Sequence, residues 1–157
     1  MKPTVYIETT IISYLTARPS RDLIVAGHQQ ITAEWWEDVR PNGACFVSPF
    51  VIQEASRGDS AMASKRLKAV SEFPVLAENE TVEELALKYF ENMSIPERAK
   101  IDAFHLAIAT AYEIDYLLSW NCRHIASAQV QKTIQRLNDE LGIRTPIMCT
   151  PEALMEV

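Results

Sequence analysis

Apolar and polar positions along the chain fall into short blocks of two periods, two and 3.6. The stretch "TVYIE" at 4–8 alternates, is β-branched and reads as a strand. "TTIISYLT" opens a helix with Thr9 or Thr10 as N-cap. A long helix is predicted over about 20–39, with Leu23, Ile31, Trp35 and Val39 on one face and "PNG" ending it. "ACFVS" is a second strand. In "SPFVIQEASRG", Ser48 as cap, Pro49 at the first position and Gly58 as stop define a compact helix. A helix over about 60–71 and a third strand, "FPVLA", follow. Val82, Leu85, Ala86, Tyr89, Phe90 and Met93 form a helical stripe over 80–93.

"SIPERAKIDAFHLAIATAYE" repeats the cap-then-proline start, with Ile101, Phe104, Ile108 and Ala111 as its buried face. "DYLLSW" is the fourth strand. A helix over 127–141 carries Val130, Ile134, Leu137 and Leu141 and stops at Gly142. "TPIMCT" is a fifth strand and "PEALMEV" a last turn. Short apolar strands alternating with helices predict a parallel sheet covered on both faces. No linker or internal repeat interrupts the pattern.

Composition changes this picture little. The chain has 157 residues, 48% hydrophobic and 23% charged, which is ordinary for a globular domain. Its three cysteines, Cys45, Cys122 and Cys149, lie far apart with no C-x-x-C, so neither a disulfide framework nor a zinc ribbon is indicated and a reducing cytoplasm fits. Glu8, Thr9 and Thr10 interrupt the first apolar run, which argues against a signal peptide. No stretch approaches the ~20 apolar residues of a membrane span. The net charge of −6 counts against a nonspecific nucleic-acid binder unless the acids have another task.

Ligands in such sheets bind beyond the carboxyl ends of the strands. Glu8 ends the first strand and Asn121 follows the fourth. Glu54 lies on the helix after the second strand, and Asp102 on the helix that feeds the fourth. Together they can supply three carboxylates and one amide oxygen to one pocket. Each also has a plain structural reading. Glu8 can favour the positive end of the next helix. Glu54 can pair with Arg57, and Asp102 with Arg98. Asn121 can be a turn residue. Jointly they are harder to explain that way. Asp102 sits about 100° from Ile101 around its helix and borders the buried face. A buried carboxylate without a partner is costly, and three together repel unless a cation neutralises them. Oxygen ligands without His or Cys suit Mg²⁺ or Mn²⁺. Such a centre on a phosphodiester can activate water and stabilise the leaving oxygen.

"VYIETTIISYL", "SPFVIQEASRG", "DAFHLAIATAYEIDYLLSWNCRHIA" and the closing helix resemble the PIN-domain family, which includes metal-dependent ribonucleases, notably the toxin components of bacterial toxin–antitoxin pairs. The likeness spans essentially the whole chain and is most specific at "DAFHLAIA" and "LLSWNCRHIA". It implies a PIN-like three-layer α/β/α sandwich with a short, mostly parallel sheet, one domain over 1–157. It also implies an endoribonuclease using Mg²⁺ or Mn²⁺, with metal-binding, catalytic positions at Glu8, Glu54, Asp102 and Asn121. Two positions depart from the family pattern: Glu8 stands where Asp is usual, and Asn121 where an acid is common. Ser119 stands where a supporting Thr or Ser is common. Dimers sharing a groove, and a cognate antitoxin partner, are further implications.

Arg123 and His124 follow Asn121 at the pocket rim and are candidates for phosphate contact, with simple loop polarity as the alternative. His105, about 40° from Ile101, reads as a satisfied core histidine. Trp35 fits the core stripe. Trp36 is expected at the surface, available to a base or a partner. Lys65, Arg66 and Lys68 read as a solvated helix face. An alternative to the nuclease is a PIN-fold module of weak or no activity that binds RNA or protein. Another class of phosphohydrolase lacks support, because no D-x-D-x-T follows the first strand and no phosphate loop is present. The four glycines, at 27, 43, 58 and 142, cannot form a dinucleotide fingerprint.

Overall fold

Strand β1, Thr4–Ile7, buries Val5, Tyr6 and Ile7 in succession, so both of its faces are covered. A strand of this kind belongs in the middle of a parallel sheet with helices on either side. The computed structural model of the chain, which describes residues 1–155, has that arrangement. β1 pairs in parallel with β2, Ala44–Phe46, on one side and with β3, Tyr116–Leu118, on the other. β4, Ile147–Cys149, extends the sheet beyond β3, giving the order β2-β1-β3-β4. Leu117 and Leu118 are fully buried on opposite faces of β3. The chain leaves β1 toward one side and later returns to its other side, so a crevice opens at the carboxyl ends of β1 and β3.

The register of β1 against β3 is fixed at their amino ends by Asp115. Its Oδ2 accepts from Thr4 N at 2.9 Å and from Thr4 Oγ1 at 3.0 Å, while Asp115 N donates to Thr4 Oγ1 at 2.8 Å. The Thr4 bonds and the Arg144 guanidinium hold this carboxyl below its usual range. A one-residue slip would turn every side chain of these strands to the wrong face.

Among the described residues, seven α-helices surround the sheet: α1, Thr9–Thr16; α2, Leu23–Glu34; α3, Pro49–Ala55; α4, Ser60–Val70; α5, Glu80–Asn92; α6, Lys100–Ala111; and α7, Ala128–Leu141. Most begin as their sequences predict. Ser48 accepts from Phe50 N and Val51 N to start α3, and Gly142 ends α7 in the left-handed conformation at φ 69° that glycine favours. α6 is buried around most of its circumference between the sheet and α5, and Asp102 and His105 are buried within it.

The structure corrects several expectations. The N-cap of α1 is Glu8 rather than Thr9 or Thr10, because its carboxylate turns back onto Thr10 N. "FPVLA" forms no strand but a single bridge, Val47 to Val75. Pro74 has no N–H to continue the ladder, and Asn79 already caps α5. The α6 region begins as a 3-10 turn, Glu97–Ala99, without a side-chain cap. Arg66 is no solvated charge: its Nε donates to Ala55 O at 3.0 Å and its Nη2 to Arg57 O, closing the end of α3. The last turn is 3-10, Pro151–Leu154, and residues 156 and 157 lie outside the described residues.

The long second helix is shorter than its pattern suggested. Asp22 caps α2, Leu23 is 89% exposed, and the helix changes to a π-turn over Trp35–Val39. The wider i→i+5 turn carries both tryptophans inward. Trp36 is buried, edge-on to Phe73 with centroids 5.5 Å apart and beneath the Arg40 guanidinium at 4.6 Å. It is not a free surface for a base or a partner. Trp36→Ala is therefore expected to cost about 3–5 kcal/mol in urea unfolding, whereas Leu23→Ala should stay within about 0.5 kcal/mol. Equal costs would contradict this placement.

Candidate functional site

Glu8 follows β1 directly, so the strand delivers its side chain to the crevice. The carboxylate is almost wholly buried, and every partner it has is a neutral donor. Oε1 accepts from Thr10 Oγ1 at 2.6 Å and Ser119 Oγ at 2.5 Å; Oε2 accepts from Thr10 N at 3.2 Å. Ser119 directly follows β3, and its hydroxyl also accepts Asn121 N at 2.9 Å. Burial pushes the Glu8 carboxyl above its usual range, and the hydroxyls and His105 only partly offset this.

Glu54 reaches the same place from the last turn of α3. Its Oε1 accepts from Thr9 Oγ1 at 2.7 Å and from His105 Nε2 at 2.6 Å. Burial raises this carboxyl, but the His105 hydrogen bond and charge outweigh burial, and the net position is below the usual range. His105 answers in the opposite sense. Burial lowers its pKa, yet the Glu54 bond with the charges of Glu8, Glu54 and Asp102 raises it on balance. One donor atom from each of Glu8, Glu54 and His105 lies within 4.8 Å of the others.

Asp102 is buried one turn before His105 on α6 and belongs to a second cluster. Its Oδ2 accepts from His124 Nδ1 at 2.9 Å and from Asn121 Nδ2 at 3.2 Å. The Asn121 Oδ1 accepts His124 N at 3.0 Å. Flipping this amide would set its NH₂ against that N–H, so the network fixes the orientation. The structure thus gives the Asn121 oxygen, expected as a metal ligand, to a backbone N–H in a turn, and points its amine at Asp102. The clusters meet through Ser119 and Asn121, and through the turn of α6 between Asp102 and His105. Arg123 is exposed on the same loop, and His124 is half-buried beside Asp102.

The Arg57 and Arg98 pairings left open by the sequence do not form. Among the described residues, no Lys or Arg side chain bonds to Glu8, Glu54 or Asp102. The sequence reading missed Tyr6, whose hydroxyl stands 2.7 Å from Ser48 Oγ and 2.6 Å from His105 Nδ1. A polar tip in a strand with two buried faces was the available signal. His105 is a satisfied core histidine as expected, but what satisfies it is Glu54. A cavity of about 520 Å³ lies at the opposite end of the sheet, lined by Pro3, Val5, Gly43 and Cys45, and contains none of these acids.

A parallel sheet in the order β2-β1-β3-β4 with acids at its carboxyl edge defines the fold as PIN-like, and solved structures agree. No family model matches the chain, and no curated protein matches it in sequence. Solved structures share the fold, among them three bacterial proteins. VapBC2 from Rickettsia felis, bound to a DNA fragment from its promoter, superposes with TM-score 0.58 at 12% identity, covering 94% of this chain and 98% of that one. VapC20 from Mycobacterium tuberculosis, a toxin that cleaves the sarcin–ricin loop, gives 0.59 at 15% identity over 76% of this chain and 92% of that one. VapBC-1 from nontypeable Haemophilus influenzae gives 0.56 at 17% identity over 95% and 98%. Identities this low establish the fold.

The pKa directions set a pH dependence for the metal-free protein. Glu8 and His105 are raised, so each contributes stability below its unfolded pKa that is lost as pH rises through its folded pKa. Glu54 is lowered, so its contribution is present above its unfolded pKa of 4.5 and lost as pH falls. In EDTA, Tm should peak in the mildly acid range and decline toward alkaline pH. His105→Gln should flatten the part of the decline above the ordinary histidine value of 6.5. A Tm that climbs steadily from acid to alkaline pH would contradict these assignments.

Proposed function

We propose that this chain is a divalent-metal-dependent endoribonuclease of the PIN toxin type, hydrolysing RNA phosphodiester bonds. The observation that carries the reading is the convergence of Glu8 and Glu54 with His105 within 4.8 Å at the switch point of the sheet. The fold of VapC20, a toxin that cleaves the sarcin–ricin loop, supports a nuclease reading. The donor set fits a hard cation: carboxylates from separate elements, one of them raised by burial, with no Lys or Arg bonded to them among the described residues.

Glu8 and Glu54 would hold the ion, Mg²⁺ or Mn²⁺, and Asp102, from the neighbouring cluster, would join them as a third carboxylate. When bound, the cation supplies a nucleophilic water and charge stabilisation at the leaving oxygen. The protein's own groups do the positioning. Thr10 and Ser119 fix Glu8, and Thr9 and His105 fix Glu54. Asn121 and His124 fix Asp102, and on this reading Asn121 orients that carboxylate instead of serving as a ligand. Arg123 and His124 lie at the rim, where an RNA phosphate would approach. The VapBC neighbours support a cognate antitoxin as protein partner. A homodimer and a cytoplasmic setting complete the proposal.

Purified protein should cleave single-stranded RNA with Mn²⁺ or Mg²⁺ and stop in EDTA. Asp102→Asn should lower the rate by more than about 100-fold, beyond the range for losing an outer-shell partner. Metal-independent cleavage, or cleavage untouched by this change, would reject the reading. Binding of RNA pools without cleavage would favour the inactive-module alternative.

Asn121→Asp sets a second carboxylate against Asp102, and the metal-free Tm should fall. On this reading the side chain at 121 faces Asp102 and acts on the ion only through it, so Mn²⁺ should raise the Tm of the variant by little more than that of wild type. A larger rise in the variant, worth about 1–3 kcal/mol, would place position 121 on the metal.

A further inference from the structure

A chain of buried side chains links both ends of α3 through two other elements. Ser48, the N-cap of α3, has its hydroxyl 2.7 Å from the Tyr6 hydroxyl on β1. Tyr6 is 2.6 Å from His105 Nδ1 on α6, and His105 Nε2 is 2.6 Å from Oε1 of Glu54, at the far end of α3. Tyr6, Ser48 and His105 are all fully buried. The proposed reaction needs no proton from this histidine, and no other side chain among the described residues bonds to His105.

Resting on the metal-centre reading above, we propose that His105, keyed by Tyr6, is the positioning residue for Glu54 and not a ligand of the ion. The argument is one of proton placement. An ionised carboxylate only accepts, so the His105 nitrogen facing Glu54 must carry a hydrogen. A nitrogen that carries a hydrogen has no lone pair to give a metal. This holds for either charge of the ring. If it is neutral, Ser48 donates to Tyr6, Tyr6 donates to Nδ1, and Nε2 donates to Glu54. If it is charged, Nδ1 donates to Tyr6 and Tyr6 to Ser48, while the bond to Glu54 is unchanged. With the ring neutral every group is satisfied, and Tyr6, by donating to Nδ1, keeps the hydrogen on the Nε2 that faces Glu54. Both bonds to Glu54, from Thr9 and His105, fall on Oε1, and Oε2 stands outside the network. Ordering of this kind raises ligand basicity and fixes orientation.

The test measures Mn²⁺ affinity by calorimetry for wild type, Tyr6→Phe, His105→Ala and His105→Gln, with pulsed electron spin resonance on the Mn²⁺ complexes. Tyr6→Phe and His105→Ala should each weaken Mn²⁺ binding by about 10- to 100-fold. His105→Gln, whose amide can still donate to Glu54, should recover most of the loss. No nitrogen coupling from His105 should appear in wild type. A nitrogen signal that vanishes in His105→Gln would make His105 a ligand and overturn the proposal. Wild-type affinity in both Tyr6→Phe and His105→Ala would reduce the chain to a structural role. Should Tyr6→Phe fail to fold, the comparison of Gln with Ala at 105 decides alone. Absence of Mn²⁺ binding by the wild-type protein is a separate result, seen before any substitution, and would overturn the metal-centre reading and this inference with it.

Discussion

Carboxylates removed from water must be met by donors, and most of what surrounds this site exists to meet that demand. Glu8, Glu54 and Asp102 are held by hydroxyls, an amide, backbone N–H and two imidazoles. The choice of donor matters. A Lys or Arg bonded to these acids would neutralise them permanently. Hydroxyls and imidazoles fix position while leaving net negative charge for a cation. The unfavourable charge balance is thereby kept at one edge of the sheet, where the order of strands opens a crevice.

The holding groups come from elements with other duties. Thr9 and Thr10 are in the first turn of α1, Ser119 follows β3, and Ser48 starts α3. Arg66 closes the other end of α3 by accepting no charge partner and binding two carbonyls instead. α3 is only seven residues long, too short to be stable alone. Its position, and that of Glu54, is set by Ser48 and Arg66 at its ends and by packing of Phe50 and Val51 between them.

Much of this was legible in the residues. Runs such as "TVYIE" and "DYLLSW" carry strand character in their own composition, and caps at Ser48, Ser127 and Gly142 mark helix ends locally. The acids were legible as candidates: Glu8 follows a strand end, Asp102 borders a buried helical face, and Glu54 lies on the helix after the second strand. What could not be read is what depends on partners distant in sequence. Whether Trp36 points inward depends on a π-turn and on Phe73. Whether "FPVLA" extends a sheet depends on the N–H that Pro74 lacks. The role of the Asn121 amide depends on its two ends facing different groups, which spacing cannot reveal. His105 was recognised as satisfied, but its partners lie 51 and 99 residues away.

The same separation shapes how the protein comes into being. Glu8 is emitted early by the ribosome, yet the Ser119 hydroxyl that holds it is 111 residues further on, and the Thr4–Asp115 clamp spans the same distance. Closing so long a loop precedes any return from the contact. A nascent or truncated chain ending before β3 therefore contains Glu8, Glu54 and Asp102 but cannot gather them. Assembly of the cluster waits until synthesis has passed Ser119 and Asn121, so a copy interrupted before β3 lacks the donors that hold Glu8 and Asp102.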